Sequence, residues 1–492
     1  MEDFISWFQS KNGTVDTTVM TIADIPGQGR GALALKDIPK GHTLFTIPRD
    51  VTLSTRTSAL PQLLGSVEWK RFKLDEGWAG LILCMLWEEA QGPLSKWAEY
   101  LSILPTEFDT PMFWSEEELQ ELKGTSVVDK IGKEEAERDY YEKIVPTVQS
   151  RAELFPPDTV SAHYTLDNYH RMGSRILSRS FTVSRWTGEA VEDEIEGSSE
   201  STGSMGVDDK KSSLPSSEAN AAELSEDEDE EDADDPSDVA MVPMADMLNA
   251  QYESENSKLF YEEHNLKMIT TKDIKGGEQI YNTYGDPPNS DILRRYGHVD
   301  LVPLRPPLSG EGNPEDIVEI RGDLVVEAAA KRVSVDAGER VEWWLENAED
   351  DTFVIGTECE VPKDFISFTR LLLQTQSEWE KTRTKDKVPK ATLDTDVTSV
   401  LMEVLDKRLA EYPTTIEADE KTLVEDDPPF RKRNAIIVRL GEKHILQTTR
   451  SELEKSHEAL HNTKGEKNKR KAGHHRTDTT MASSSGSKKA RR

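Results

Sequence analysis

At 492 residues, with 35% hydrophobic and 31% charged side chains, the chain is long enough for two or three cored domains but too polar for all of it to be packed. No stretch approaches the roughly 18 uninterrupted apolar residues of a membrane span, and the acidic start Met1-Glu2-Asp3-Phe4 lacks a hydrophobic signal region, so neither membrane insertion nor secretion is expected. Cys84 and Cys359, the only cysteines, exclude a disulfide framework or a thiolate zinc cluster and suit a reducing compartment.

The net charge of −33 is unevenly placed. Residues 189–238 hold 20 acids against Lys210 and Lys211, whereas residues 463–492 hold 10 bases against Glu466 and Asp478. The remaining body is acidic in its own right. A basic protein partner fits that surface better than a polyanion, and no direct nucleic-acid binding is expected.

In chain order, Phe4, Ile5, Trp7 and Phe8 share one face of a short amphipathic helix. Strand-like runs follow: Val19-Met20-Thr21-Ile22, then Ala32-Leu33-Ala34-Leu35 after the glycines of Gly27-Gln28-Gly29-Arg30-Gly31, then Thr43-Leu44-Phe45-Thr46-Ile47-Pro48. Residues 1–74 form the first β-rich part. From 75 to 181 the period becomes helical, with Trp78, Leu81, Ile82, Met85 and Leu86 as one stripe and Leu166, Tyr169, Met172, Ile176 and Leu177 as another. Residues 187–238 read as a disordered acidic loop. Order returns over 239–304, where Leu266-Lys267-Met268-Ile269-Thr270 is a strand and 290–296 a short helix, with Ser290 as N-cap and Gly297 as its stop. The stretches Lys36-Asp37-Ile38-Pro39-Lys40-Gly41 and Lys272-Asp273-Ile274-Lys275-Gly276 resemble each other and read as two similar hairpin turns. A mainly helical domain is expected over 305–455, and a disordered basic tail over 463–492.

Three clusters have chemical potential. Gly29-Arg30-Gly31 is either a tight turn or a place where backbone approaches a ligand closely, because glycine has no Cβ in the way. It lacks the GxGxxG pattern opening a helix, which disfavours a dinucleotide fold. Asp246 and Asn249 stand in the apolar run Val242-Pro243-Met244-Ala245-Asp246-Met247-Leu248-Asn249, where an unpaired carboxylate or amide is costly. They either satisfy a local turn or hold something polar in a cleft. Tyr261, Tyr281, Tyr284 and Tyr296 fall within 36 residues, out of 11 tyrosines in the chain. They are either packed core rings or the walls of a narrow channel suited to a lysine side chain.

Five motifs in order are similar to the SET domain of the Rubisco large-subunit methyltransferase type, in the branch that includes fungal ribosomal-lysine methyltransferases and their animal relatives. They are Gly29-Arg30-Gly31, Ser178-Arg179-Ser180-Phe181, Pro243-Met244-Ala245-Asp246-Met247-Leu248-Asn249, Asn282-Thr283-Tyr284-Gly285 and Leu293-Arg294-Arg295-Tyr296-Gly297. Leu409-Ala410-Glu411-Tyr412-Pro413-Thr414-Thr415 and Val438-Arg439-Leu440-Gly441-Glu442-Lys443 extend the likeness into the C-terminal domain. The resemblance implies an α+β fold: a β-rich SET domain split by a helical insert, followed by an all-α substrate-binding domain. It implies a protein-lysine N-methyltransferase that uses S-adenosylmethionine and no metal, with a large-subunit ribosomal protein as the expected substrate. By the same resemblance Gly29, Arg30, Gly31, Arg179, Asp246, Asn249 and Tyr284 line the methyl donor. Arg179, Phe181, Asp246, Tyr261 and Tyr296 line the lysine, and Tyr284 is the catalytic tyrosine. The chain departs from the pattern at Ala250, where relatives commonly carry histidine, which puts donor affinity in question.

Two other readings stay open from sequence: a methyltransferase for histones or a transcription factor, and a non-catalytic SET-like module that binds basic protein tails. The clusters Lys467-Asn468-Lys469-Arg470-Lys471 and Lys488-Lys489-Ala490-Arg491-Arg492 resemble nuclear import signals, so a nuclear location and an import receptor are expected, with a cytoplasmic pool allowed. The alternative for that tail is contact with RNA or with the chain's own acidic loop.

Overall fold

The computed structural model describes residues 1–186, 235–333, 337–348 and 350–477, with side chains through 459. The chain divides into two units. The first comprises Met1–Ser115 and Asp129–Asp300; the second comprises Glu116–Val128 and the chain from Leu301 onward.

In the first unit the helix Glu2–Ser10 buries Phe4 and Phe8, as the one-sided pattern predicts. The strands form antiparallel sheets that join both halves of the sequence. One has the order Thr14–Val15, Thr43–Pro48, Asn265–Thr270, Ser257–Tyr261; the other has Met20–Ile25, Gly29–Ala34, Gln279–Ile280. Phe45 faces Met268 and Ile47 faces Leu266, and all four are buried. A bulge between Thr43 and Phe45 lets the consecutive Leu44 and Phe45 both be buried, which a regular alternating strand forbids.

The two similar turns clasp one another. Ile38 and Ile274 exchange backbone hydrogen bonds at 2.8 and 2.9 Å. The Asp273 carboxylate accepts the Lys40 N–H at 2.8 Å, and the Asp37 carboxylate accepts the Gly276 N–H at 3.0 Å. Each Asp thus caps the other turn's backbone, which explains why the same short sequence occurs twice.

The helical part begins at Leu60–Leu64, earlier than the boundary at 75. Ala79–Ala90 is buried on nearly every side, beyond the stripe predicted for it. Leu166–Arg179 starts at Thr165, whose hydroxyl accepts the Asn168 N–H at 3.2 Å, and buries Tyr169, Met172 and Ile176. It runs straight into the strand Ser180–Thr182, which pairs with Val239–Met241. The acidic stretch 187–234 lies outside the described residues. Asp235 to Asp238, assigned to that loop from sequence, instead form a turn in which Asp238 ion-pairs with Arg56 and its carbonyl accepts the Val183 N–H. The helix after the tyrosine run is Asn289–Tyr296 with Pro288 at the N-cap, so Ser290 is not the cap; Gly297 is the stop, at φ +79°.

The second unit has its own core, around Trp344, Phe353, Phe365, Phe368, Leu401 and Ile445. It is mainly helical, and two short antiparallel ladders add to the all-α expectation: Val302–Pro303 with Glu311–Gly312, and Ile317–Arg321 with Thr352–Gly356. The expected boundary at 304/305 falls at Asp300/Leu301.

The insert 75–181 is also not one body, because Glu116–Val128 belongs to this second unit. Buried charge holds it there. Glu442 accepts from the Ser126 N–H at 3.0 Å, Arg408 donates to the Gly124 carbonyl at 2.7 Å, and Arg439 donates to the Glu121 carbonyl at 2.7 Å. Asp419, 1% exposed, receives Arg439 at 2.6 Å and Lys443 at 2.6 Å. The final helix, Phe430–Thr477, continues past the expected end at 455 into the tail taken from sequence as disordered. Lys, Arg and Ala are good helix formers, and extending a helix that already exists is cheap. Residues 478–492 lie outside the described residues.

Candidate active site

The site forms where two segments of the first unit run side by side. Met244 sits at φ +76°, ψ −48°, strained for a residue with a side chain, and is fully buried. That bend leads into the turn Ala245–Met247 and delivers Asp246, Leu248 and Asn249 to one place. The second segment is tied to it twice: the Asn282 N–H donates to the Asn249 carbonyl at 2.9 Å, and the Tyr284 hydroxyl donates to the Leu248 carbonyl at 3.2 Å.

Tyr284 and Tyr296 stack with ring centroids 4.4 Å apart. Burial holds both phenols above their ordinary pKa, and for Tyr284 the neighbouring Tyr296 adds to this. Tyr284 is therefore a neutral hydroxyl near pH 7, with its proton directed at the Leu248 carbonyl.

Asp246 is buried, and the lost hydration pushes its carboxyl up to about 6. Arg179 and the Tyr100 hydroxyl act in the opposite direction. The Arg179 guanidinium donates to the Asp246 carbonyl at 2.6 Å and stands 3.8 Å from Oδ2. Arg30, exposed on its strand, donates to the Ile103 carbonyl at 3.0 Å and adds positive charge to the field at Asp246.

The glycine turn is the strand Gly29–Ala34. Gly29 lies at φ +69° with open space where a Cβ would point. Gly31 is the opposite case: a Cβ there would lie 2.5 Å from Gln279 Oε1 and 2.7 Å from Asn249 Nδ2. The Asn249 amide donates to Gln279 Oε1 at 2.8 Å, and Gln279 Nε2 donates to Tyr281 Oη at 2.6 Å and to Gln28 Oε1 at 2.7 Å. Gly29 thus leaves open backbone at the start of the strand, whereas Gly31 is buried under the fixed amide pair of Asn249 and Gln279.

The structure accordingly gathers Gly31 with Asn249, Arg179 and Arg30 with Asp246, and Tyr284 with Tyr296 and Leu248. Phe181 lies on the strand after Arg179, opposite Ala240, and Tyr261 is 38% exposed and in the field of Arg49. Neither ring stacks on Tyr284 or Tyr296 among the described residues. Tyr281, grouped with the others by sequence, instead completes the Gln279 network. Sequence reasoning missed Gln279 and Tyr100. Nothing local marks either one, since each acts through partners far away in the chain.

Family models match this chain as a SET domain over residues 29–285 and as Rubisco LSMT substrate-binding over residues 336–446. Ribosomal lysine N-methyltransferase 4 of Saccharomyces cerevisiae is 32% identical over 335 residues, which are 66% of this chain and 59% of the yeast protein. N-lysine methyltransferase setd6 of Danio rerio is 27% identical over 484 residues, 91% of this chain and 94% of the fish protein. The human SETD6 is 27% identical over 453 residues, 85% and 83% respectively. Among solved structures, the SET domain of LSMT bound to lysine and AdoHcy superposes with a TM-score of 0.64 at 20% identity, covering 93% of this chain and 92% of that one. Rubisco LSMT bound to AdoMet gives 0.61 at 21% identity over the same shares.

Proposed function

The chain belongs to the SET-domain family of the Rubisco LSMT type, and on that premise we propose that it is a protein-lysine N-methyltransferase acting on a large-subunit ribosomal protein. The observation that carries the reading is the convergence on one turn: Tyr284 bonds the carbonyl of Leu248, which lies between Asp246 and Asn249 in the same short turn. The open backbone at Gly29, on the strand whose Gly31 packs against the Asn249 amide, fits a close backbone approach by the nucleoside part of S-adenosylmethionine. In this reading Gly29, Arg30, Gly31, Arg179, Asp246, Asn249 and Tyr284 hold the donor, and Arg179, Phe181, Asp246, Tyr261 and Tyr296 hold the lysine. When bound, the donor supplies a methyl group on a sulfonium.

The protein's part is alignment and proton control. A lysine amine with its ordinary pKa of ~10.4 is protonated and cannot attack, so it must lose a proton on the way in. Burial between phenols and close to the positive field of Arg179 favours the neutral amine. The neutral Tyr284 hydroxyl can accept or donate a hydrogen bond and so fixes the nucleophile's direction, the contribution for which alignment gives the largest return.

The ribosomal substrate is supported by the yeast relative's name, and the acidic body suits a basic ribosomal protein. Mass spectrometry of the large ribosomal subunit from cells with and without this chain tests it: loss of methylation at a lysine is expected, and an unchanged methyl-lysine map refutes it. The reading includes a nuclear location through an import receptor, supported by the two basic clusters, of which residues 488–492 lie outside the described residues. Removing residues 463–492 from a fluorescent fusion is expected to disperse the nuclear signal; unchanged accumulation refutes that part.

A further inference from the structure

We propose that Tyr100 is a positioning residue of the active site: its hydroxyl occupies one oxygen of the Asp246 carboxylate and thereby leaves the other, Oδ1, as the acceptor offered to an N–H-bearing group of the lysine substrate. The inference rests on the methyltransferase reading above and deepens it.

Tyr100 lies on the helix Ala98–Ile103 and is fully buried. Its hydroxyl donates to Asp246 Oδ2 at 2.8 Å. Burial raises its pKa well above the ordinary phenol value, so it remains a donor throughout the range in which Asp246 titrates. Arg179 spends its short hydrogen bond on the Asp246 carbonyl and faces the same Oδ2 at 3.8 Å. Oδ1 is left buried with no partner at hydrogen-bond geometry among the described residues; the Asp246 N–H, which also favours the ionised carboxylate, donates to the Val242 carbonyl at 3.2 Å. An ionised oxygen stripped of water and given no hydrogen bond is expensive, and buried polar atoms are normally paired. A site that receives an ammonium or an N–H from outside is one place where such an atom has a purpose.

The ring is held independently of that bond. It stacks on Trp7 with centroids 6.3 Å apart and planes 11° from parallel, and lies 6.3 Å from Phe4. Trp7 in turn donates its indole N–H to the Lys96 carbonyl at 3.0 Å, and Trp97, three residues before Tyr100, donates its own to the Val51 carbonyl at 2.7 Å. The N-terminal helix, which precedes the matched SET residues, is therefore part of the support of the carboxylate. A purely structural tyrosine here needs only its ring; the hydroxyl makes its bond to the site alone.

Asp246 is faced by Tyr100 and Arg179, with Arg30 and Tyr284 in its field, and Arg175 acts on Tyr100 from behind. Among these the Tyr100 hydrogen bond favours the ionised carboxylate, so its loss must raise the pH at which Asp246 ionises.

The test is Tyr100→Phe in the full chain, which keeps the stack and removes the hydroxyl. Steady-state kinetics over pH 5 to 9 with a lysine protein substrate should show KM for that substrate rising roughly five- to tenfold, with KM for S-adenosylmethionine unchanged. The acid limb of kcat/KM should move up by about one unit. An unchanged substrate KM together with an unmoved limb overturns the proposal while leaving the enzyme reading intact. Carbon-13 titration of the Asp246 carboxyl, assigned with Asp246→Asn, needs no turnover and decides the case even if the parent chain transfers no methyl. A midpoint higher in Tyr100→Phe than in the parent supports the proposal, and equal midpoints refute it.

Discussion

Tyr284 and Tyr296 lie face to face, with ring planes 13° from parallel, and the hydroxyl of Tyr284 reaches the Leu248 carbonyl at 3.2 Å. The stack holds the ring and the hydrogen bond holds the hydroxyl at its tip, so the phenol is anchored at both its face and its oxygen. Tyr284→Phe preserves the stack and removes only the oxygen. We expect kcat to fall about 100-fold or more while the Kd of S-adenosylmethionine changes little. Single-turnover transfer alongside calorimetric titration separates the two quantities. Full turnover by the variant would remove Tyr284 from the chemistry.

Gly31→Ala places a methyl group into Gln279, Ile25 and the Asn249 amide at 2.5 to 2.7 Å. The neighbours must shift, at an overpacking penalty of about 1–3 kcal/mol, and the Asn249–Gln279 bond is the part that has to give. The donor's Kd should weaken by roughly tenfold or more if the penalty falls on the site. A variant that melts earlier yet binds the donor as tightly as the parent would show that the strand absorbs the strain elsewhere.

The raised carboxyl of Asp246 gives stability a definite pH dependence. With a folded value of about 6 against an ordinary 3.8, the fold prefers the protonated form. That contribution is fully present below pH 3.8 and is lost as pH climbs through about 6, up to about 3 kcal/mol in all. Asp246→Asn does not titrate. Urea unfolding at intervals from pH 4 to 7 should show the variant gaining on the parent as pH rises, whatever their offset at pH 4. A constant difference across that range means that Asp246 ionises as it does in water.

In the second unit, Asp419 is the shared partner of Arg439, Lys443 and the Thr414 hydroxyl, all within 2.9 Å. Asp419→Ala leaves the buried Lys443 without its counter-charge and Arg439 with Glu121 alone, which typically destabilises by about 3–5 kcal/mol. Denaturant unfolding followed by tryptophan fluorescence, to which Trp343, Trp344 and Trp379 buried in this unit contribute three of the ten tryptophans, reports it. A shift below 1 kcal/mol would mean that Glu121 and solvent replace the carboxylate.

Part of this site was legible in the sequence wherever one local property betrays a role. Gly297 ends a helix in the left-handed region, Gly31 leaves room for an amide, and the tyrosine run ends in a turn. Other residues have roles that belong to pairs. Tyr100 looks like any core aromatic until Asp246, 146 residues later, comes into contact. Gln279 is an ordinary polar strand residue whose two amide atoms serve three partners. The second unit's claim on Glu116–Val128 was hidden for the same reason, since Glu118 and Glu121 meet Arg431, Lys432 and Arg439 over 300 residues away. At the short helix Asn289–Tyr296 a local rule failed, because a serine in the first turn resembles a cap. Asn289, just before it, spends its side chain on the backbone of Asp300.

The reciprocal clasp of the two similar turns, and the pairing of Thr43–Pro48 with Asn265–Thr270, also govern how the protein is made. A ribosome adds roughly 5–20 residues each second, so the early strand waits some 10–40 s for its partner to be synthesised. Until then its backbone edge is open to any other unpaired strand nearby. The newborn amino-terminal half therefore depends on chaperones or on solubilising charge. A fragment ending before residue 257 cannot complete either sheet, however long it is given.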